Sequence, residues 1–572
     1  MRFSQLGPLI GLAACLSAAT QAQAQGLHRD HTAIADSAGR PILLRGINLG
    51  NWLYLEPWMS GNAPFGFDQD EDGKPDQFGT AIRAAVGTEA RAAAFTKAWR
   101  DNFITAPDIA QIKRLGFNSV RVPLDYRLFY DKSTGQNSDV GFLYLDHLLH
   151  WCAASQIYVF LDMHGVPGSK NYRIPGNIFS SPERQDLLAH IWQRIASRYA
   201  SNSWLGGYDL INEPVVNDAR TPILRDVYRK LTAAIRQSDS NHLIIAEGDN
   251  FGSWLDSLGE RWDENMALSD HNYGSTLPPK PADNGFALPH HKQTADRLDI
   301  PLWMGEFGYN SNPWNNAQKT LCEQTGVGWC CWAYKSTGTW SLVKQPLPPG
   351  YDRLLAYWRH EPNAPRSSPI QAFGWLMETA RLTNAAHCSL NRDVADGLTR
   401  PDFASRAIPY AALTIPGTIA AMDYDMGTDG LAYHDTVSEN TGGMGAGFTL
   451  WNSGAVGRND GVDIYSHPDG PTQDAIGNIQ PGEWLRYSVT CKPGRYTLRL
   501  RFGGSGGKLR VLLDGKEITH PIILPATGGW DRFRTLTVPG VRITASGPAV
   551  LRLDFDTSGF NLSRIAFEAT KR

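Results

Sequence analysis

Charge is scarce in this sequence. Only 19% of its 572 residues are charged, and 54 basic side chains nearly balance 57 acidic ones, for a formal net charge of −3. That balance offers no electrostatic footprint for nucleic acid. Long apolar runs are lacking too: past the N-terminus nothing approaches the roughly 20 apolar residues of a spanning helix, so no membrane span is expected. Cysteine is sparse, at 7, and no C-x-x-C occurs, which leaves a zinc site little support. Nor does a G-x-G-x-x-G follow the first strand-like run, which argues against an open dinucleotide-binding sheet.

What is abundant is flat and small: 18 Trp, 20 Tyr and 56 Gly. Such a composition suits a folded, turn-rich chain and excludes disorder. Indole rings also suit sugars, whose apolar faces stack on them, although core packing explains many tryptophans equally well. At the N-terminus an apolar run, Leu6 to Ala19, precedes Ala22-Gln23-Ala24, so residues 1–24 are expected to be an export signal and the protein secreted or periplasmic. "LAAC" at 12–15 has the shape of a lipoprotein box, making lipidation of Cys15 the alternative. The other cysteines (152, 322, 330, 331, 388 and 491) are expected as partly buried free thiols, with one or two bridges left open.

The length predicts two or three domains. From about 40 to 385, β-branched or aromatic runs alternate with helical stretches. The runs are "ILLRGINLG", "NSVRVPL", "IYVFLDMHG", "GGYDLINEP", "HLIIAEG", "MALSDHNYG", "PLWMGEFG" and "GWCCWAYKS". Eight strands alternating with helices predict an α/β fold, a closed (β/α)8 TIM barrel, over 27–388. Residues 389–415 read as a linker or packed connector. From 416 to 570, short alternating strands such as "RYTLRLRF", and a hairpin at Asp514-Gly515, predict an all-β sandwich.

Barrel enzymes carry their reacting groups at the C-terminal ends of the strands, and polar residues collect there. Arg121 lies in the second run and His164 ends the third. Asn212 and Glu213 end the fourth, His271 and Tyr273 the sixth and Glu306 the seventh, while Trp332 lies in the eighth. Carboxylates from strands four and seven would face each other across the mouth. A separation of roughly 5–5.5 Å would leave no room for an intervening water and imply a covalent, retaining glycosidase mechanism. Arg121 could keep Glu306 ionised or serve only as a structural salt bridge. Asn212 suits a sugar hydroxyl, and Tyr273 suits holding the nucleophile. His164 and His271 could equally be satisfied core histidines, and Trp332 either barrel packing or a pocket floor.

"RGINLGNWL", "NSVRVP", "LDMHG", "INEP", "HNY" and "GEFG", in this order over about 40–380, resemble glycoside hydrolase family 5. The resemblance implies that Glu213 is the acid/base and Glu306 the nucleophile. Arg121, His164, Asn212, His271, Tyr273 and Trp332 would surround them. "GINLGNWLYLEPW" and "DMHGVPGSKN" look most similar to the branch that cleaves β-1,3-glucans, with Trp52, Glu56 and Trp58 either lining the subsite that sets linkage or packing under the rim. No metal or organic cofactor is expected for catalysis. In "DQDEDGKPD", Asp68, Asp70, Asp72 and Asp76 have the spacing of a calcium loop, although Gly79 stands where an EF-hand has its bidentate Glu, so either a structural ion or a solvated acidic loop is expected.

Over 416–568 the chain resembles family 6 carbohydrate-binding modules, through "IPGTIAAMDYD", "RNDGVDI", "PGEWLRYSV", "GGW" and "FNLSRIAFE". The resemblance implies that Trp530 stacks on sugar and Asn561 hydrogen-bonds it. Ala420 and Met422 stand where that family has calcium-binding Glu residues, and Gly457 replaces a Tyr, so its aromatic clamp would be incomplete or rebuilt from Trp451 or Tyr465. The expectation is an exported, monomeric, retaining β-glucanase whose partner is a polysaccharide or oligosaccharide. The alternatives are a β-1,4-glucanase or β-mannanase, a transglycosylase, or a glucan-binding protein that has lost catalysis.

Overall fold

A computed structural model describes residues 26–60, 77–168, 177–216, 222–274, 288–359, 361–364, 366–438, 451–467 and 474–569. Eight parallel strands close into a barrel: β1 (Arg45–Asn48), β2 (Ser119–Asp125), β3 (Tyr158–Gly165), β4 (Leu205–Asp209), β5 (Leu243–Glu247), β6 (Met266–Asn272), β7 (Leu302–Gly308) and β8 (Gly328–Trp332). Strands β2, β3 and β5 to β8 are buried at every residue. A parallel sheet covered on both faces requires this, and it explains why these runs read as nearly continuous apolar stretches. Each of the eight runs singled out in the sequence overlaps one of these strands.

The alternation of side chains sorts chemistry by height. Along β3, Tyr158 and Phe160 join an apolar cluster with Leu44, Leu243, Ile245, Ala267, Trp303 and Cys330. Two and four residues further on, the same face presents Asp162 and His164, so a dry floor gives way to a polar mouth. The other face, including Val159, Leu161 and Met163, packs under the helices. Helix α1 (Ala106–Arg114) begins with a capping box between Thr105 and Asp108. Helix α2 (Pro182–Tyr199) has Ser181 as N-cap and proline at its first turn, and buries Leu188, Ile191, Trp192 and Ile195 at helical spacing. Between β5 and β6 the described chain makes only a short 3-10 turn, Leu255–Leu258.

Residues 389–415 are packed rather than extended. Helix α3 (Asn312–Gln324), which follows β7, lies against α4 (Arg392–Thr399). Strand β9 (Leu413–Ile415) already belongs to the second domain, which therefore starts three residues earlier than expected. That domain is a sandwich of two sheets. In one, β9 is followed by β11 (Trp484–Cys491), β14 (Gly547–Phe555) and β13 (Gly507–Leu513). In the other, β10 (Gly417–Ala420) pairs with β15 (Phe560–Ala569), which flanks β12 (Gly494–Gly504). Leu498, Leu500 and Phe502 face the core, and Asp514-Gly515, both at positive φ, makes the two-residue hairpin turn. The six described cysteines are all free, and five are buried. Among the described residues no helix is long and apolar enough to cross a membrane. Asp68, Asp70, Asp72 and Asp76 lie outside the described residues.

Asp108 does more than cap α1. Its Oδ1 accepts from Lys335 Nζ (2.9 Å) and from Tyr334 Oη (3.0 Å), and Lys335 also donates to the Thr383 carbonyl (2.8 Å). Both members of the ion pair have fully buried side chains. Asp108→Ala would strand a buried ammonium, which costs about 3–5 kcal/mol. The expected result is a clearly lower urea midpoint of intrinsic fluorescence, and an unchanged midpoint would show that the pair carries no such weight.

Candidate active site

Arg121 is the centre of the mouth and is fully buried. Its Nε donates to Asp209 Oδ2 (2.9 Å), and its Nη2 donates to Asn212 Oδ1 (2.9 Å) and Glu247 Oε1 (3.0 Å). Nη1 lies 3.1 Å from Asp162 Oδ2 and donates to Glu306 Oε1. Burial opposes its charge, but Asp162, Asp209, Glu306 and Glu247 outweigh that and hold the guanidinium charged well beyond its ordinary range. Asp209 pays in part: burial lifts its carboxyl well above the usual range.

Glu306 is held at both oxygens, since Tyr273 Oη donates to Oε2 at 2.6 Å while Arg121 holds Oε1. A bulge aims it. The register between β6 and β7 slips so that Asp270 pairs with Met304 but His271 with Glu306. Gly305 absorbs the slip, because a Cβ there would sit 2.2 Å from Ser269 Oγ. Glu213 stands opposite. Strand β4 ends at Asp209, earlier than the sequence suggests, and the chain bends before Glu213 takes φ +45°. That left-handed conformation is costly for a side chain other than Gly or Asn. It is held by Glu247, whose Oε2 accepts the Glu213 N–H at 2.6 Å. Glu213, His271 and Glu306 present atoms that all lie within 4.8 Å of one another.

The two histidines differ in charge. His271 Nδ1 is 3.0 Å from Glu213 Oε1, and its Nε2 is 3.3 Å from Glu247 Oε1. Burial disfavours the imidazolium, but Glu247, Glu306 and Glu213 hold it well above its ordinary range. His164 is pushed down to about 4 by burial. As a neutral ring it donates from Nδ1 to Asp162 Oδ2 (2.7 Å) and accepts at Nε2 from Asn212 Nδ2 (3.1 Å). Asn212 is thus oriented from both ends, with its carbonyl toward Arg121 and its amide toward His164. The indole of Trp332 stacks on His164 at 5.7 Å, and Gly50 lets it in, since a Cβ there would lie 2.7 Å from the ring.

Arg121, His164, Asn212, Glu213, His271, Tyr273, Glu306 and Trp332 therefore converge. Trp52 does not. It is buried in the core under the rim, its Nε1 donating to the Arg100 carbonyl at 2.8 Å, while Trp58 stays partly exposed beside Trp332. Asp162, Asp209 and Glu247 were not singled out in the sequence, although each sits inside or at the end of a quoted run. Among the described residues Asp162–His164–Glu306, Glu213–His271–Glu306 and the fully buried Asp162–Asp209–Glu247 have the donor chemistry for a cation, but the guanidinium already lies within the last. In the sandwich, Trp530 is 52% exposed and Asn561 is buried beside His467, their strands flanking Gly503 from either side.

Two carboxyl groups facing each other in a barrel mouth, one clamped by an arginine and a tyrosine, are the equipment of a glycoside hydrolase, and this chain is one. Residues 78–338 match the model of cellulase, glycosyl hydrolase family 5. Residues 458–566 match carbohydrate binding module family 35, which corrects the family 6 assignment. The motifs that suggested family 6, such as "PGEWLRYSV" and "FNLSRIAFE", fall on β11 and β15. Both are core strands, whose alternation is common to sandwiches of more than one family. Beta-xylosidase of Phanerodontia chrysosporium is 28% identical over 54% of this chain and 71% of its own length. A probable glucan 1,3-beta-glucosidase A of Aspergillus fumigatus is 28% identical over 40% and 56%. Endoglucanase C of Acetivibrio thermocellus is 31% identical over 31% and 53%. The chain thus spans little more than half the length of the last two.

Burial raises Asp162 to about 6, against the opposing pull of Arg121 and His271. As pH falls through about 6 its carboxyl gains a proton, its hydrogen bond from His164 Nδ1 weakens and Asn212 loosens. kcat/KM is expected to drop over that range, and the acid limb should vanish from the residual activity of Asp162→Asn. An identical limb in the variant would rule out this origin.

Proposed function

We propose that the protein is an exported, retaining β-glucanase with β-1,3-glucan as its favoured polymer. The observation that carries the retaining mechanism is the approach of Glu213 and Glu306 to within 4.8 Å at their nearest described oxygens. That gap suits direct attack by a carboxylate rather than by an intervening water. Glu306, fixed by Arg121 and Tyr273, attacks the anomeric carbon and forms a glycosyl ester, while Glu213 gives its proton to the departing oxygen. Glu213 then takes a proton from water, which attacks the same carbon and releases Glu306. Asn212 is placed to hydrogen-bond a ring hydroxyl, and Trp332 to underlie the sugar.

The β-1,3 preference rests on the motifs after β1 and β3 and on relatives named as glucan 1,3-beta-glucosidases. A second reading, cleavage of β-xylosides, is favoured by the relative named as a beta-xylosidase. Trp530 and Asn561 are proposed as the sugar contacts of the module.

Product release from laminarin, mixed-linkage glucan, carboxymethylcellulose, mannan and xylan separates these readings. Laminarin is expected to be cleaved fastest, with the β-anomer formed first by NMR. Glu213→Gln should lower kcat about 10²–10⁴-fold, and Glu306→Gln should remove turnover. First appearance of the α-anomer would refute the retaining mechanism, and faster cleavage of another polymer would refute the linkage.

A further inference from the structure

Asn459 carries the sandwich into the barrel. Asn459 is fully buried and uses all of its hydrogen-bonding groups. Its backbone N–H donates to Asp393 Oδ2 (2.7 Å) and its carbonyl accepts from the Asn312 N–H (2.8 Å). Nδ2 donates to the Asn310 carbonyl and to Asn312 Oδ1, both at 2.9 Å, and Oδ1 accepts from Trp451 Nε1 (3.2 Å). Asn310 and Asn312 form the turn directly after β7, the strand that carries Glu306.

Between that strand and that turn stands Tyr309, at φ +45°. Its ring lies 4.9 Å from Trp58 and 5.0 Å from Trp340, edge-on to both, while those two indoles stack at 5.1 Å. Trp58 and Trp340 are partly exposed and pack on Trp332 and Met59, in the same cluster as Tyr273. From the other domain, Trp451 meets Tyr309 edge-on at 6.4 Å. Trp451 is only 4% exposed, so it is no free platform for sugar; it is a backstop.

We propose that Asn459 and Trp451 of the sandwich are positioning residues for a sugar subsite of the barrel. By pinning the 310–312 turn they set Tyr309, so that Trp58, Tyr309 and Trp340 form an aromatic wall next to the catalytic pair. A sugar ring beyond the one being cleaved stacks on that wall. The module thus completes the cleft, in addition to any sugar it holds on its own surface. This rests on the reading of Glu213 and Glu306 as the catalytic pair.

The test uses the full chain, with Asn459→Ala, Trp451→Ala and Trp451→Phe, on the tri- and hexasaccharides of the laminari and cello series. Asn459→Ala and Trp451→Ala are expected to raise KM for the better hexasaccharide about tenfold, with kcat and the trisaccharide constants changed less than about twofold. Trp451→Phe, which keeps an aromatic backstop, should recover most of the loss. Equal losses on both lengths, or none on either, would overturn the proposal. Hexasaccharide binding by calorimetry supplies a readout that does not need turnover. If wild type cleaves neither series, the glucanase reading fails, whereas this proposal fails only if wild type binds no hexasaccharide or Asn459→Ala binds it as tightly.

Discussion

The arrangement of the mouth follows from one cation placed where water cannot reach it. An unpaired guanidinium at this depth would cost several kcal/mol even after relaxation. Arg121 avoids that only because Asp162, Asp209, Glu247 and Glu306 approach it from four other strands. Once it is fixed, the rest has little freedom. Its Nη1 decides where the carboxylate of Glu306 lies, and its Nη2 decides which way the amide of Asn212 turns. Glu247, shared between Arg121, His271 and the Glu213 backbone, carries the constraint across to the opposite acid. The geometry of the mouth is therefore a by-product of satisfying a buried charge.

Much of this was legible before any coordinates. The eight strands could be read because parallel strands buried on both faces leave long apolar runs, and the residues that converge at the mouth because polar groups rarely end such runs by accident. The reading weakened where a residue's role depends on depth. Asp162, Asp209 and Glu247 look like ordinary acids in a sequence, and only a buried arginine in their midst gives them work. For Trp52 a cleft role and packing under the rim were both open: five residues separate it from Trp58, yet the rim turns between them and buries one under the helices. The module's family was misread because its most recognisable stretches are core strands, which many sandwiches share.

The boundary between the domains was left open by the sequence. Residues 389–415 are polar and interrupted by proline, which suits either a linker or a packed connector, and tertiary contacts make them the second. Helix α4 packs on α3, and Asp393 is shared between Asn312 of the barrel and Asn459 of the sandwich. Arg458, its neighbour, lies fully buried over the rings of Tyr410 and Tyr424 at 4.4 and 4.1 Å. With charges and amides closed off on both sides of this seam, the two domains meet as a built joint rather than as beads on a string.

The dry floor beneath the mouth has an electrostatic consequence. Phe160, Trp303, Leu243 and Ile245 form an apolar layer of low dielectric constant under Asp162, Glu247 and Glu306, with Arg121 and His271 among them and Asp209 pushed toward its neutral form by burial. Field lines from that excess of negative charge escape poorly through the floor, so they are focused outward through the opening. A sugar seated there gains positive character at its anomeric carbon and ring oxygen as the glycosidic bond breaks. The barrel meets this oxocarbenium character with a negative potential already in place, without reorganising solvent at the moment of reaction.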